Sequence, residues 1–160
     1  MPKKVPKYVE HKMAHFWVDV GGVIIDRVND KSDTSFFGDR YLETTAVPGA
    51  FEALAILAKR FEIYLVSKCG PRTARRTLEW LAHHRFFERT GIPPENVRFC
   101  RERIDKASIC KELGITHFVD DLPEVLGYLK TVPHRYLFNS KEAMPGVVMV
   151  KSWEELMRQV

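Results

Sequence analysis

Residues 15–23 read His-Phe-Trp-Val-Asp-Val-Gly-Gly-Val, a short apolar run that stops on an aspartate and runs straight into two glycines. Phe16 to Val18 is too brief an apolar run for a helix and fits a strand covered on both faces. The same grammar returns downstream, where Ile63 to Val66 stops on Ser67 and His117 to Val119 stops on the pair Asp120-Asp121. Between the first two runs, Phe51, Leu54, Leu57 and Ala58 repeat at helical spacing and predict a helix from Ala50 to Arg60. Strands and helices that take turns are the βαβ signature of a parallel sheet sandwiched by helices, an α/β fold.

The pattern extends to the end of the chain. It predicts a helix from about Arg72 to Phe87, a strand at Val97 to Cys100, and a helix from about Lys106 to Leu113 closed by Gly114. A short helix near Pro123 to Lys130 and strands at Arg135 to Phe138 and Val147 to Val150 follow. Ser152-Trp153-Glu154-Glu155 is a capping box that opens a last helix, whose face of Trp153, Leu156, Met157 and Val160 reads as core packing. Residues 1–14 combine Lys and Pro without a hydrophobic period and read as a flexible basic tail, leaving 15–160 as one domain. Residues 27–46 fit no element. They are polar, carry Asn29, Asp30, Asp33, Gly38 and Asp39, and hold the pair Phe36 and Phe37. They are expected to form a loop or flap at the sheet edge, either a lid over a site or a mobile surface insertion.

Composition excludes several classes. With 160 residues, 45% hydrophobic and 29% charged, the chain can bury a core and is neither disordered nor fibrous. The net charge of +4 is small and much of it lies in the first twelve residues, which is weak support for a polyanionic partner. The longest apolar run, Ala53 to Ala58, falls far short of the roughly 18 residues of a membrane span. No apolar region follows the basic start, so no secretory signal is read and a cytoplasmic location is the expectation. Cys69, Cys100 and Cys110 are odd in number and lack CxxC spacing, as reduced thiols would.

In an open parallel sheet, ligands bind beyond the carboxyl ends of the strands. There lie Asp19, followed by Val20-Gly21-Gly22, then Ser67, then Asp120-Asp121, with Lys106 at the start of a helix. These residues suit phosphoryl transfer to a carboxylate, with Asp19 as the nucleophile that attacks phosphorus. A carboxylate repels a phosphate, so the site needs a hard cation, and Mg²⁺ favours one or two carboxylates plus carbonyl oxygens. Asp19, Asp121, the neighbouring Asp120 and the Gly21 carbonyl are the candidate ligands. Ser67 and the amides from Lys68 onward can hold phosphoryl oxygens, and Lys106 can balance charge on both phosphate and Asp19.

Each residue also has a plainer reading. Asp121 can cap a helix that has Pro123 and Glu124 in its first turn. Ser67 can be a turn residue and Lys106 a solvated lysine, although the start of a helix disfavours a cation. Lys68, Arg72, Arg75 and Arg76 crowd the start of another helix and either attract a phosphorylated or polyanionic substrate or form a solvated basic face. Cys69 is either a reactive thiol beside the site or a structural one, and the adjacent His83 and His84 lack the spacing of a shared metal site.

Taken in order, FWV-Asp19-Val20-Gly21-Gly22-Val23, IYLV-Ser67, Lys106 and FV-Asp120-Asp121 resemble the four motifs of the haloacid dehalogenase-like superfamily, over Phe16 to about Val150. The resemblance implies a Rossmann-like sheet and a Mg²⁺-dependent phosphohydrolase. Two departures stand out. Family phosphatases carry an Asp two places after the nucleophile as general acid and base, and here that place is Gly21, with Val23 where the family has Thr. Some family members with a first motif of this DxGxV type nonetheless look like phosphatases. Only 47 residues separate Asp19 from Ser67, so no full cap domain fits. Either a large substrate covers the site, or another subunit or the 27–46 loop serves as lid, and haloalkanoate dehalogenation, which needs a closed apolar pocket, is disfavoured.

The expected activity is hydrolysis of a phosphomonoester, such as a nucleotide or another phosphorylated small molecule, or of a phosphorylated macromolecule. The alternative, motivated by Gly21, is a catalytically weak or inactive domain that binds a phosphorylated ligand or a protein partner. A third reading, nucleic-acid end processing, rests on the missing cap and the Arg72 to Arg76 cluster.

Overall fold

Among the residues described by the computed structural model, 14–27 and 35–160, six strands form one sheet. They are β1 (His15–Asp19), β2 (Glu62–Lys68), β3 (Val97–Cys100), β4 (His117–Asp120), β5 (His134–Phe138) and β6 (Val148–Val150). Their order is β3-β2-β1-β4-β5-β6, and every neighbouring pair is parallel. The expected basic tail, apart from Ala14, and the centre of the expected 27–46 loop lie outside the described residues.

Six helices cover the sheet: α1 (Ala50–Leu57), α2 (Pro71–His83), α3 (Phe86–Thr90), α4 (Asp105–Leu113), α5 (Pro123–Tyr128) and α6 (Trp153–Gln159). Successive side chains of a strand point to opposite faces, and here both faces are dry. Phe16 and Val18 of β1 join Leu65, Tyr136 and Phe138 against Leu54, Trp80, Phe86 and Trp153 on the side of α1, α2, α3 and α6. Trp17 joins Val66, Phe118 and Leu137 against Cys110, Val125 and Leu126 on the side of α4 and α5. Burial on both sides is why the strands read as unbroken apolar runs rather than as alternation.

The chain runs from β1 outward to β2 and β3, and from β4 outward to β5 and β6, so the order reverses between β1 and β4. That reversal opens a crevice at the strands' carboxyl ends. Val18 is in register with Val119, which sets the next residues, Asp19 and Asp120, side by side on its floor.

Beyond β1 the backbone turns sharply. The Val20 carbonyl accepts from the amides of Val23, Ile24 and Ile25, and the Gly22 amide donates to the Ile25 carbonyl at 2.9 Å. Residues 45–47 return alongside, with the Asp26 amide donating to Thr45 and the Val47 amide to Ile24. The Trp153 indole N–H donates to the Val23 carbonyl at 2.7 Å and ties this turn to α6. Residues 35–44 lie across α2: Arg76 donates to the Phe36 and Gly38 carbonyls, Trp80 Nε1 donates to the Thr44 carbonyl, and the Tyr41 hydroxyl donates to Glu79. Residues 35–44 are therefore fastened to α2. Between β1 and β2 the described residues hold only a single 3-10 turn (Tyr41–Glu43) and α1, with no cap domain.

The helix expected over Arg72 to Phe87 is two. The helix α2 stops at His83 because Arg85 takes a left-handed conformation (φ 56°), and α3 restarts at Phe86. The break places Trp80 and Phe86 each at ring-centroid distances of 5.9 and 5.0 Å from Phe51. The α5 helix ends at Tyr128, two residues earlier than expected, and one half of the capping box forms: Ser152 Oγ accepts from the Glu155 amide at 3.1 Å, while the Glu155 carboxylate accepts from the Lys151 amide at 3.3 Å instead of from that of Ser152.

His117, half-buried at the edge of the core, is sandwiched between Phe16 (5.2 Å between ring centroids) and the exposed His134 (4.4 Å), against the Thr116 hydroxyl at 2.8 Å. Burial, then the proximity of His134 and of Arg60, pull its pKa down to about 4 from 6.5. The folded chain thus takes up this proton less readily than the unfolded one. The stability it contributes is complete above pH 6.5 and is lost as pH falls from there through 4. Replacing His117 with Phe is expected to flatten the dependence of the melting temperature on pH across that window, as measured by thermal denaturation against pH.

Candidate active site

Strand β1 ends on Asp19, β4 ends on Asp120, and α4 carries Lys106 in its first turn on the side of the sheet that faces both. The Lys106 ammonium donates to Asp19 Oδ1 at 3.2 Å and to Asp120 Oδ2 at 3.0 Å, and its side chain is only 3% exposed. The solvated reading of Lys106 is therefore set aside. Burial pulls its pKa down, but Asp19 and Asp120 more than offset this and the balance is upward, so the ammonium stays charged. Asp120 is wholly buried, and both its oxygens are engaged, since Oδ1 accepts from the Leu122 amide at 3.0 Å. Burial, followed by the charge of Asp120, pushes Asp19 above the usual carboxylate range against the pull of Lys106. Asp120 is likewise raised, by burial in the first place.

Asp121 closes the group. Ligand oxygens of Asp19, Asp120 and Asp121 all lie within 4.8 Å of one another. Asp121 does not cap α5, whose N-cap is Leu122 with no side-chain cap bond. Its Oδ2 accepts from Arg27 Nε at 3.0 Å, while its Oδ1 is buried with no partner. Three carboxylates against the Lys106 ammonium and the Arg27 guanidinium leave one negative charge in the crevice, and two wherever Arg27 withdraws, a deficit that a divalent cation would cancel. The donors are all hard oxygens, which suits Mg²⁺. Gly22 makes room for the group. It has φ +81°, and a Cβ built there would lie 2.3 Å from Asp121 Oδ2 and 2.6 Å from Arg27 Nε. The residues present therefore fit a Mg²⁺ ion held by Asp19, Asp121 and the Gly21 carbonyl.

Above this floor is a cleft of about 290 Å³. Ser67, Lys68 and Cys69 at the end of β2 form one wall, Phe36 and Phe37 of the flap another, and Leu122 and Val125 a third. Five of the residues singled out in the sequence thus border or underlie one cavity: Asp19, Gly21, Ser67, Lys68 and Lys106. The basic cluster does not stay together. Arg76 is bound to the flap and lies 4.4 Å over the Tyr41 ring, and Arg72 and Arg75 are exposed and do not border the cleft. Burial pushes the Cys69 thiol up, which leaves it protonated and argues against a reactive thiolate.

Two cleft residues had no sequence signal. Arg103 borders the cavity and pairs with Glu124 at 2.9 Å. Arg27 reaches Asp121 from an irregular segment in which no periodicity places a side chain.

No protein-family model matches the sequence, and no curated protein matches it in sequence. Solved structures match the fold. A protein described as a haloacid dehalogenase-like hydrolase from Burkholderia xenovorans LB400 aligns over 92% of this chain and 96% of its own, with TM-score 0.61 and 13% identity. One described as a HAD family hydrolase from Streptomyces avermitilis MA-4680 aligns over 89% and 83%, with TM-score 0.51 and 20% identity. One described as a 3-deoxy-D-manno-octulosonate 8-phosphate phosphatase from Vibrio cholerae aligns over 98% and 89%, with TM-score 0.53 and 13% identity. The chain has the haloacid dehalogenase-like fold, in the α/β Rossmann-like class and without a full cap among its described residues.

Removing the ammonium leaves Asp19 and Asp120 facing one another as buried like charges. Lys106→Met is expected to lose about 3–5 kcal/mol of stability at neutral pH. The deficit narrows as pH falls, because protonating one carboxyl ends the repulsion. Urea denaturation at several pH values measures both.

Proposed function

We propose that this protein is a Mg²⁺-dependent phosphohydrolase that cleaves a phosphomonoester through an aspartyl-phosphate on Asp19. The observation that carries the reading is the triad at the switch point, Lys106 buried between Asp19 and Asp120 with the unpartnered Asp121 oxygen beside them. The phosphatase described among the fold neighbours supports a phosphorylated small molecule as substrate. The described residues hold no helix long and apolar enough to cross a membrane. The three free thiols support a reducing, cytoplasmic setting.

Asp19, Asp121 and the Gly21 carbonyl would hold Mg²⁺. A bound ion would supply positive charge that offsets the carboxylates and stabilises charge on the phosphoryl group. Lys106 holds Asp19 Oδ1, which fixes the carboxylate and leaves Oδ2 as the attacking oxygen. As the Asp19–phosphorus bond forms, the ester phosphorus–oxygen bond breaks and the alcohol departs. Water then attacks phosphorus, the bond to Asp19 breaks, and inorganic phosphate leaves with Asp19 restored. Ser67 and Lys68 hold the remaining phosphoryl oxygens. Asp120 is a positioning residue here: with both oxygens engaged, it keeps Lys106 aimed at Asp19. No carboxyl stands at position 21 to protonate the departing oxygen, so that proton comes from solvent or from the substrate itself, which suits esters whose alcohol is a good leaving group.

Gly21 also supports a second reading, a domain that binds a phosphorylated ligand and turns it over slowly or not at all. Nothing in the backbone demands glycine at this place, and a Cβ would meet only Arg27 Nη2, at 3.7 Å. Gly21→Asp is therefore expected to fold. If only the acid and base is missing, it gains roughly 10²–10⁴-fold in turnover. The defining measurement is phosphate release from a panel of phosphomonoesters with Mg²⁺ and with EDTA. Turnover that needs the metal and vanishes in Asp19→Asn is the expected result, and full activity in that variant would overturn the nucleophile assignment. Silence of both wild type and Gly21→Asp on every ester would favour the binding reading.

A further inference from the structure

We propose that Arg27 is a tethered cation that sits in the Mg²⁺ position of this site and leaves it when the metal binds. The inference rests on the metal reading above. It starts from where the guanidinium lies. Arg27 Nε is 3.0 Å from Asp121 Oδ2, and Nη2 reaches the Gly21 carbonyl at 3.5 Å. Those are two of the three groups assigned to the ion. The guanidinium takes Asp121 Oδ2 and reaches the Gly21 carbonyl while Asp121 Oδ1 stays open, so an ion entering at Oδ1 competes with it for the remaining oxygens and meets it as a like charge at close range.

Charge and access both allow the exchange. Without Arg27 the crevice carries two uncancelled negative charges, and with it one, so the arginine partly meets the deficit that the ion meets fully. Its side chain is 61% exposed while that of Asp121 is 13% exposed. The arginine therefore enters from solvent and can return there without opening the core. By contrast, the Lys106 ammonium is locked in at 3% exposure and serves both states. The bare Gly22 is what lets the arginine in, since a Cβ there would stand 2.6 Å from its Nε. Arg27 also borders the cleft together with Phe36 and Lys68, so a displaced guanidinium remains where a phosphate would arrive. An exposed ion pair of this kind shifts a competing equilibrium by roughly one-and-a-half- to fivefold.

The test is Mn²⁺ binding to the full chain, read by electron paramagnetic resonance and calorimetry in wild type, Arg27→Gln, Arg27→Lys and Arg103→Gln, with each fold checked by circular dichroism. Arg27→Gln is expected to bind Mn²⁺ roughly one-and-a-half- to fivefold more tightly than wild type. Arg27→Lys, which keeps the charge but loses the two-pronged reach, is expected to fall between them. Arg103→Gln, which removes a cation elsewhere on the cleft, is expected to change affinity less than Arg27→Gln. The Arg27 Nε–H resonance, assigned by its disappearance in Arg27→Gln, is expected to shift when Mg²⁺ is added to wild type.

Equal affinity in wild type and Arg27→Gln, or equal tightening in Arg103→Gln, would overturn the displacement while leaving the metal site standing. Failure of all four chains to bind Mn²⁺ at millimolar concentration would overturn the metal site itself and the displacement with it.

Discussion

An ammonium in a dry crevice is tolerable only if its charge is matched, and matching Lys106 requires three parts of the chain to be in place at once. Asp19 comes from the end of β1, Asp120 from the end of β4, just over a hundred residues later, and Lys106 from the first turn of α4. The start of a helix repels a cation, so nothing local to α4 favours a buried lysine there. Only the correctly ordered sheet, with β1 and β4 adjacent and in register, supplies the two carboxylates. Errors in strand order would leave an unpaired charge of either sign in the interior, a larger penalty than most misplaced apolar residues incur. The grouping thus makes one fold preferable and, by the same geometry, holds Asp19 in a fixed orientation at the crevice floor.

The surroundings of that floor are divided between attraction and anchorage. Arginines crowded at the start of α2 suggest one basic surface in the sequence, yet in the fold they separate by task. Arg76 spends its hydrogen bonds on the carbonyls of Phe36 and Gly38, while Arg72 and Arg75 are exposed and do not border the cleft. Positive charge at the cleft comes instead from Lys68, Arg103 and Arg27 on three different segments. Such dispersed charge suits a compact anion more than a long polyanion, which would need a continuous track. With Arg76, Trp80 and His84 fastening the flap, Phe36 and Phe37 are presented at the cleft by a segment braced against α2.

What could be read in the sequence follows from how local its causes are. Strands buried on both faces announce themselves as apolar runs, and the residues that end them fall at the carboxyl edge of the sheet whatever the loops do. Asp19, Ser67 and Asp120-Asp121 were legible for that reason. The break between α2 and α3 was not, because Arg85 adopts φ 56° without a glycine or proline to signal it, and the apolar spacing carries across the break through Leu81, Phe86 and Phe87. The separate duties of Asp120 and Asp121 were equally hidden. Adjacent residues leaving a strand point in different directions, and which one meets Lys106 depends on the register of β4 with β1. Arg27 was illegible for a third reason: its position comes from a turn closed by the distant Thr45 and Val47, a tertiary fact with no trace in the spacing of residues.

The two glycines after Asp19 look alike in sequence and do unlike things. Gly22 is forced: its backbone is left-handed, and any side chain would strike the Asp121 carboxylate. Gly21 is not forced, since its backbone is ordinary and the space beside it is open except for the Arg27 guanidinium. A carboxylate at position 21 would therefore fit sterically, and would draw Arg27 toward itself and away from Asp121. A carboxyl at position 21 and the Asp121 carboxylate would thus contend for one guanidinium. With glycine at 21, Arg27 is left to Asp121. With no anion at that place, a single guanidinium together with Lys106 comes closer to balancing the three carboxylates of the crevice.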